Sequence, residues 1–383
     1  MNRQNKLPEK FAEFAGQRKA SFLKVKEIKE QGIPVIGSYC TYFPKEIAMA
    51  MGAVTVGLCG TSEEPIKEAQ KDLPKNLCPL IQSSYGFAKT DTCPYFYFSD
   101  LVVGETTCDG KKKMFEFLGR IKDVHVMHLP DVQDEFGKQL WKAEIIRLKD
   151  RLEEKFHVQI SDESVRQAVR KNNQIRSALK EFCELMKQEP APMSGYELFQ
   201  VLYGSWFKLY SDEILTEVQN LTEYIQKETQ KRKTASGLRI LITGCPIGGV
   251  VDKVVKTIEA CGATVVAFEN CNGMKAFDRI VDEETEDIYE ALADYYLQIG
   301  CSVMTPDRNR MTLLKDMIRE YRIDGVIEVV LTACHTYMIE SGIDRTDGKR
   351  KSAENPISLS WKRIISQARY RTAKNEDGSN LWR

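Results

Sequence analysis

No stretch of this 383-residue chain approaches the ~18 consecutive apolar residues that a membrane-crossing helix needs. The opening MNRQNKLPEKFAEFAGQRK is charged and has no apolar run of the kind that marks an export signal. A cytoplasmic protein without a membrane partner is expected. Net charge is missing as well: 55 Lys and Arg balance 55 Asp and Glu. With no basic excess there is no electrostatic footprint for a phosphate backbone, so no nucleic-acid partner is expected. Two short motifs are also absent. There is no Cys-x-x-Cys knuckle of the sort structural zinc sites use, and no Walker A loop to cradle a nucleoside triphosphate.

Cysteine, by contrast, is plentiful, with 11 in the chain. A reducing cytosol does not maintain disulfides, and an odd number leaves one thiol unpaired in any case. Metal or redox chemistry therefore moves forward. A free cysteine is commonly a buried small hydrophobe, so position along the chain has to decide.

The length suits two domains, each with its own core. Residues 33–40 (IPVIGSYC), a helical KEIAMAMG, the strand VTVGLCG, a strand within YFYFSDLVVGETTC, the helix DGKKKMFEFLGR and the strand VHVMHLP follow βαβ grammar. They predict a small parallel sheet over residues 1–135. From 136 to 235 the pattern turns to long, charge-rich helical segments, read as a connector whose charges form a solvated face. After KRKTASG the grammar restarts with LRILITGCPIGG, the helix VVDKVVKTIEACG, ATVVAFENCNG, a helical acidic stretch, IGCSVMTP, a helix and DGVIEVVLTACHTY, giving a second domain over 236–383. The fold class expected is α/β, with two Rossmann-like parallel-sheet domains joined by a helical connector.

In an open parallel sheet, functional groups gather beyond the carboxyl ends of the strands. Cys40, Cys108, Cys245, Cys271 and Cys334 are all predicted there, and Cys78 and Cys301 sit in neighbouring loops beside a proline or a turn. TTCDGKKK, CPLIQSS and ACHTY lie at predicted helix starts. There, amide N–H groups favour a thiolate and an anionic cluster. Iron–sulfur is preferred to zinc on the missing knuckles, although no ferredoxin-like cysteine run occurs either. Cys59, Cys183 and Cys261 read as packing residues, and Cys93 is left out of the site because it is expected to precede a strand. His335, next to Cys334, is the candidate proton donor, with a backbone-bonded histidine as the plain alternative. His125, His128 and His157 read as structural or exposed, and Tyr85 with YFYF (95–98) as core or interface. GCPIGG could cradle a phosphate, though it is not the dinucleotide fingerprint, and Cys245 within it makes cluster proximity an equal reading.

The segments NLCPLIQSSYGF, SDLVVGETTCDGKKKM, GCPIGGVVDKVV, ENCNGMKAF, CSVMTP and DGVIEVVLTACHTY together resemble the 2-hydroxyacyl-CoA dehydratase family, the D-component or benzoyl-CoA reductase-like proteins, over residues 5–345. Within it the chain is most similar to the double-cubane cluster proteins. The resemblance implies a [4Fe–4S] cluster on Cys78, Cys108 and Cys334. A second cubane, bridged to the first, would fall to Cys40, Cys245 and Cys271, with Cys301 as substitute. It further implies a separate ATP-hydrolysing [4Fe–4S] activator as electron donor, a small-molecule substrate and a homodimer. The missing Walker A motif agrees with ATP being handled by a partner. The expected function is a reductase component. The alternative is a dehydratase subunit with one [4Fe–4S] cluster that removes water from a 2-hydroxyacyl-CoA by radical elimination, and the third is a non-enzymatic Rossmann-like binding protein.

One departure stands out. From about residue 342 the chain runs on as a basic, poorly periodic tail, GIDRTDGKRKSAENPISLSWKRIISQARYRTAKNEDGSNLWR. Codons compatible with WKRII and RTAKNEDGS, read out of register, spell the family-like ETDY and GQLRTRMEA, so a frameshifted C-terminus is expected.

Overall fold

The structure, a computed structural model, describes residues 17–228 and 237–342, and the expected frameshifted tail lies outside the described residues. Its α/β class and two parallel sheets agree with the sequence reading. The first sheet comprises β1 (Val35–Ser38), β2 (Val54–Gly57), β3 (Leu101–Glu105) and β4 (Val124–Met127), in the order β2-β1-β3-β4. The second comprises β5 (Arg239–Gly244), β6 (Thr264–Phe268) and β7 (Gly325–Val329), in the order β6-β5-β7. Every pairing is parallel. Residues of β3 and β5 are buried throughout, as continuous apolar runs covered by helices on both faces require.

In each sheet the first strand lies between its neighbours, so consecutive connections leave it in opposite directions. A crevice opens at such a switch point, beyond the carboxyl ends of β1 and β3 and of β5 and β7. This topology is what puts cysteines from distant parts of the chain within reach of one another.

Four long helices connect the sheets: Glu135–Phe156, Asp162–Glu184, Gly195–Ser205 and Ser211–Glu228. The first three start on side-chain caps. Asp134 accepts from Gly137 N–H, Ser161 accepts from Ser164 N–H, and Ser194 forms a capping box with Glu197. The helix Ile288–Leu297, although it follows β6 in sequence, packs on the helix Glu135–Phe156. Its Leu292, Tyr295 and Tyr296 share a core with Ile36, Leu101 and Val103 of the first sheet and with Trp141 and Ile145.

Three local expectations are corrected. YFYF does not open a strand: Pro94–Phe98 is a short helix with Pro94 in its first turn, where the fixed φ and missing N–H are tolerated, and Cys93 is its N-cap. Tyr95 and Phe96 are buried while Tyr97 is exposed. The acidic stretch is not helical until Ile288, because Asp287 caps Tyr289 and Glu290 there and starts the helix. Cys261 is exposed rather than packed, since it caps the end of the short helix Thr257–Ala260. Cys183 is buried, as expected.

Candidate functional site

A cavity of about 930 Å³ lies where the two switch points face each other. Cys40, Cys78, Cys108, Cys245, Cys271, Cys301 and Cys334 all line it, as does His335. So does Cys59, which the sequence reading had taken for a packing residue. Cys59 follows β2 at the same distance as Cys40 follows β1, and Ser38 pairs with Gly57 across those two strand ends, so both thiols reach the same rim.

Local structure explains each placement. Cys78 and Cys108 are the N-caps of the helices Pro79–Lys89 and Asp109–Leu118, and Cys334 directly precedes the helical residues 335–342. Cys245 follows Gly244, whose φ of +102° suits glycine alone. The turn lets Cys245 N–H donate to Val329 O at 2.8 Å, and Cys245 Sγ accepts from Leu331 N–H at 3.5 Å. Cys59 Sγ donates to Tyr39 O at 3.1 Å. Pro246 and Gly248 of the GCPIGG turn also face this cavity, which places the turn beside the thiols.

The thiols that act most strongly on one another fall into two groups. Burial raises Cys78 to about 12, and Cys334 and Cys108 add to the rise. Burial, then Cys334, then Cys78 raise Cys245. Cys334 is lowered, first by its hydrogen bond with Cys245, against burial, with Tyr337 N–H and the Thr336 hydroxyl assisting. Cys78, Cys108, Cys245 and Cys334 thus form one set. In the other, burial raises Cys40, with Cys271 and Cys301 contributing, and burial raises Cys271 to about 12, with Cys301 and Cys59 contributing. The sequence reading had placed Cys245 with Cys40 and Cys271, with Cys301 as the substitute. The structure puts Cys245 beside Cys334 and brings Cys301 to Cys40 and Cys271 instead.

Two buried lysines accompany these thiols. Lys111 donates to Tyr39 O at 3.2 Å; burial opposes its charge, but Cys40, Cys59, Glu105 and Cys108 outweigh that and raise its pKa. Lys275, fully enclosed, donates to Tyr337 Oη at 2.7 Å and pairs with Glu269 at 3.1 Å, and it opposes the rise of both Cys271 and Cys301. Glu105 lies beneath Lys111 with neither carboxylate oxygen hydrogen-bonded. Burial raises it to about 7 despite Lys111. Sequence reasoning missed both lysines, because nothing in KKKM or GMKAF marks the one side chain that turns inward.

His335 is exposed at the rim. Of the other histidines, His125 is buried on β4, while His128 and His157 are exposed. Among the described residues no three His, Cys, Asp or Glu converge closely enough to hold a single metal ion, and no helix is long and apolar enough to cross a membrane. The donors are instead spread around a roomy cavity, with amide N–H groups and lysines turned toward them. Thiols with amide N–H groups and lysines beside them are the donor set that a thiolate-held iron–sulfur group would use.

The chain is similar to known proteins along most of its length. The chain is 51% identical over 337 residues to the "Putative dehydratase subunit YjiM" of Escherichia coli (strain K12), covering 88% of each chain. It is 22% identical over 315 residues to the (R)-phenyllactyl-CoA dehydratase beta subunit of Clostridium sporogenes, covering 81% of this chain and 82% of that one. It is also 22% identical over 340 residues to the (R)-2-hydroxyglutaryl-CoA dehydratase subunit beta of Acidaminococcus fermentans, covering 86% of each. The family model of the 2-hydroxyglutaryl-CoA dehydratase D-component matches residues 40–351, and the chain belongs to that family.

Proposed function

We propose that this protein is the iron–sulfur component of a reductase, with two cubanes held in the cleft. One observation carries the reading: cysteines that follow strands of both sheets line one cavity, and they outnumber the thiolates that a single cubane takes. Cys78, Cys108 and Cys334 would hold the first cubane with Cys245 beside them. Cys40, Cys271 and Cys301 would hold the second with Cys59 beside them. When bound, the clusters supply single electrons at low potential.

The protein's own residues do the rest. Helix N-termini at Cys78, Cys108 and Cys334 present N–H groups to the thiolates and disperse their charge. Lys111 and Lys275 supply fixed positive charge within a medium that cannot screen it. Tyr39, Tyr203, Trp206 and Phe207 wall the cavity with apolar surface and limit water at the redox centre. His335, at the rim, is placed to deliver a proton to a small molecule bound there. Electrons would come from a separate ATP-hydrolysing activator, and the working unit would be a homodimer in the cytoplasm.

The second reading is a dehydratase subunit with one [4Fe–4S] cluster on Cys78, Cys108 and Cys334, acting on a 2-hydroxyacyl-CoA. The names of all three relatives, each a dehydratase subunit, favour it. Iron and acid-labile sulfide on anaerobically purified protein separate the readings. About eight irons per chain are expected for two cubanes and about four for one; an iron-free protein would overturn both.

A further inference from the structure

Beside the thiol cleft lies a smaller cavity of about 160 Å³. The two share Ser38, Cys40, Thr41, Gly57 and Trp206, so a molecule seated in the smaller one reaches the cleft at Cys40. Three cationic side chains, Lys45, Arg176 and Lys208, stand in its wall, and no Asp or Glu does. Arg176 is bound to buried Glu46 at 2.6 Å and Lys208 to Glu217, so two of the three charges are already matched.

Lys45 is the exception. Among the described residues its ammonium makes neither a hydrogen bond nor an ion pair. Lys45 is half-buried in this wall, and burial and the neighbouring Arg176 push its pKa down to about 8, with Glu46 opposing. A second polar group is unmatched in the same wall. Asn172 is fully buried, its Nδ2 donates to Glu46, and its Oδ1 has no partner. Phe43, Ile175, Leu179 and Phe277 form an apolar side of the wall, which elsewhere carries the hydroxyls of Thr41, Thr55 and Ser205.

We propose that this side cavity binds the carboxylate of a small organic acid, with Lys45 as its counter-ion and the acid's other end directed past Cys40 into the thiol cleft. The single unmatched charge calls for one anionic group. The apolar side of the wall calls for a short carbon skeleton rather than a bare inorganic ion. Asn172 Oδ1 is left to accept from a hydroxyl, an N–H or a water carried with the ligand. That the acid is then acted on in the cleft rests on the redox reading given above, whereas the binding itself does not.

The test is calorimetric titration of the anaerobically purified full-length protein with propionate, and with nitrate for comparison, in the parent and in Lys45→Met, Lys45→Gln and Lys45→Arg. Saturable propionate binding tighter than that of nitrate is expected. It should weaken by about tenfold or more in Lys45→Met and Lys45→Gln, the effect of one lost charge-assisted hydrogen bond, and survive in Lys45→Arg. Two uncharged variants are used so that a folding defect in one, seen as a lowered Tm, leaves the other to decide. No saturable propionate binding to the parent, equal binding in the uncharged variants, or nitrate binding as tight as propionate would each overturn the proposal. Iron measured on the same samples keeps the two readings apart. Full iron without propionate binding would sink only the anion site, and propionate binding without iron only the redox function.

Discussion

The Arg176 guanidinium lies 2.6 Å from the Glu46 carboxylate, with side-chain exposures of only 6% and 0%. Asn172 and Tyr296 donate to the same carboxylate, so the pair ties the helices Asp162–Glu184 and Ile288–Leu297 to the helix Lys45–Ala50 beside the first sheet. Burial alone would raise the Glu46 pKa, but Arg176 and then the two hydrogen bonds outweigh it, and the folded-state value is lowered. The contribution to stability is therefore present above the unfolded carboxylate value of ~4.3 and is lost as pH falls through the lower folded one. Glu46→Gln leaves the guanidinium buried without its counter-charge and should cost about 3 kcal/mol at neutral pH. Urea unfolding at pH 7 and at pH 3.5 checks this. A loss below about 1 kcal/mol would show that the pair is dispensable.

His125 on β4 offers a second pH test. It is 6% exposed and its Nε2 has no hydrogen-bond partner; burial, assisted by Arg147, pushes its pKa down to about 4. The unfolded chain takes up this proton near 6.5 and the folded one resists. Stability is thus complete above ~6.5 and declines until about pH 4, by ~2–3 kcal/mol. In His125→Leu the decline across that window should shrink by a similar amount, as read from unfolding free energies at pH 7 and 4.5. An unchanged pH dependence would mean that His125 takes up its proton in the folded protein as readily as in the unfolded chain.

Gly244 is the backbone position on which Cys245 depends. With φ at +102°, an added Cβ would run into Val329 O. Gly244→Ala should destabilise by about 1–3 kcal/mol and also lower iron loading, because the turn that orients Cys245 would shift. Normal iron in a destabilised variant would separate the turn from the site.

Thiols away from the cleft should behave differently. Cys261, exposed, should react with iodoacetamide in the native protein, and Cys261→Ser should leave both Tm and iron unchanged. Cys183, buried beside Phe182, should be protected, and Cys183→Ala should lower stability by ~1 kcal/mol without iron loss. Iron loss in either variant would place a ligand outside the cavity.

Much of the site was legible because parallel sheets place function by strand ends, and Cys40, Cys108, Cys245, Cys271 and Cys334 each follow a strand. Cys59 carried the same signal in VGLCG and was passed over only because a short strand ending in a small apolar segment resembles packing. The grouping of the thiols was not legible. Whether Cys245 or Cys301 joins Cys40 depends on how the two sheets face each other, a long-range relation that no local pattern encodes. For the same reason Lys111 and Lys275 looked like surface charges. At YFYF, aromatic β-propensity pointed to a strand, and Pro94 together with burial of Tyr95 and Phe96 made a helical turn instead.

The central claim is that one cavity holds two thiol sets, and the most direct test is the iron and acid-labile sulfide content of anaerobically purified parent, Cys108→Ala and Cys271→Ala proteins. About eight irons in the parent are expected, with roughly half lost or the whole centre destabilised in each variant. About four irons in the parent, lost with Cys108→Ala and fully retained in Cys271→Ala, would contradict it and leave a single cluster on Cys78, Cys108 and Cys334.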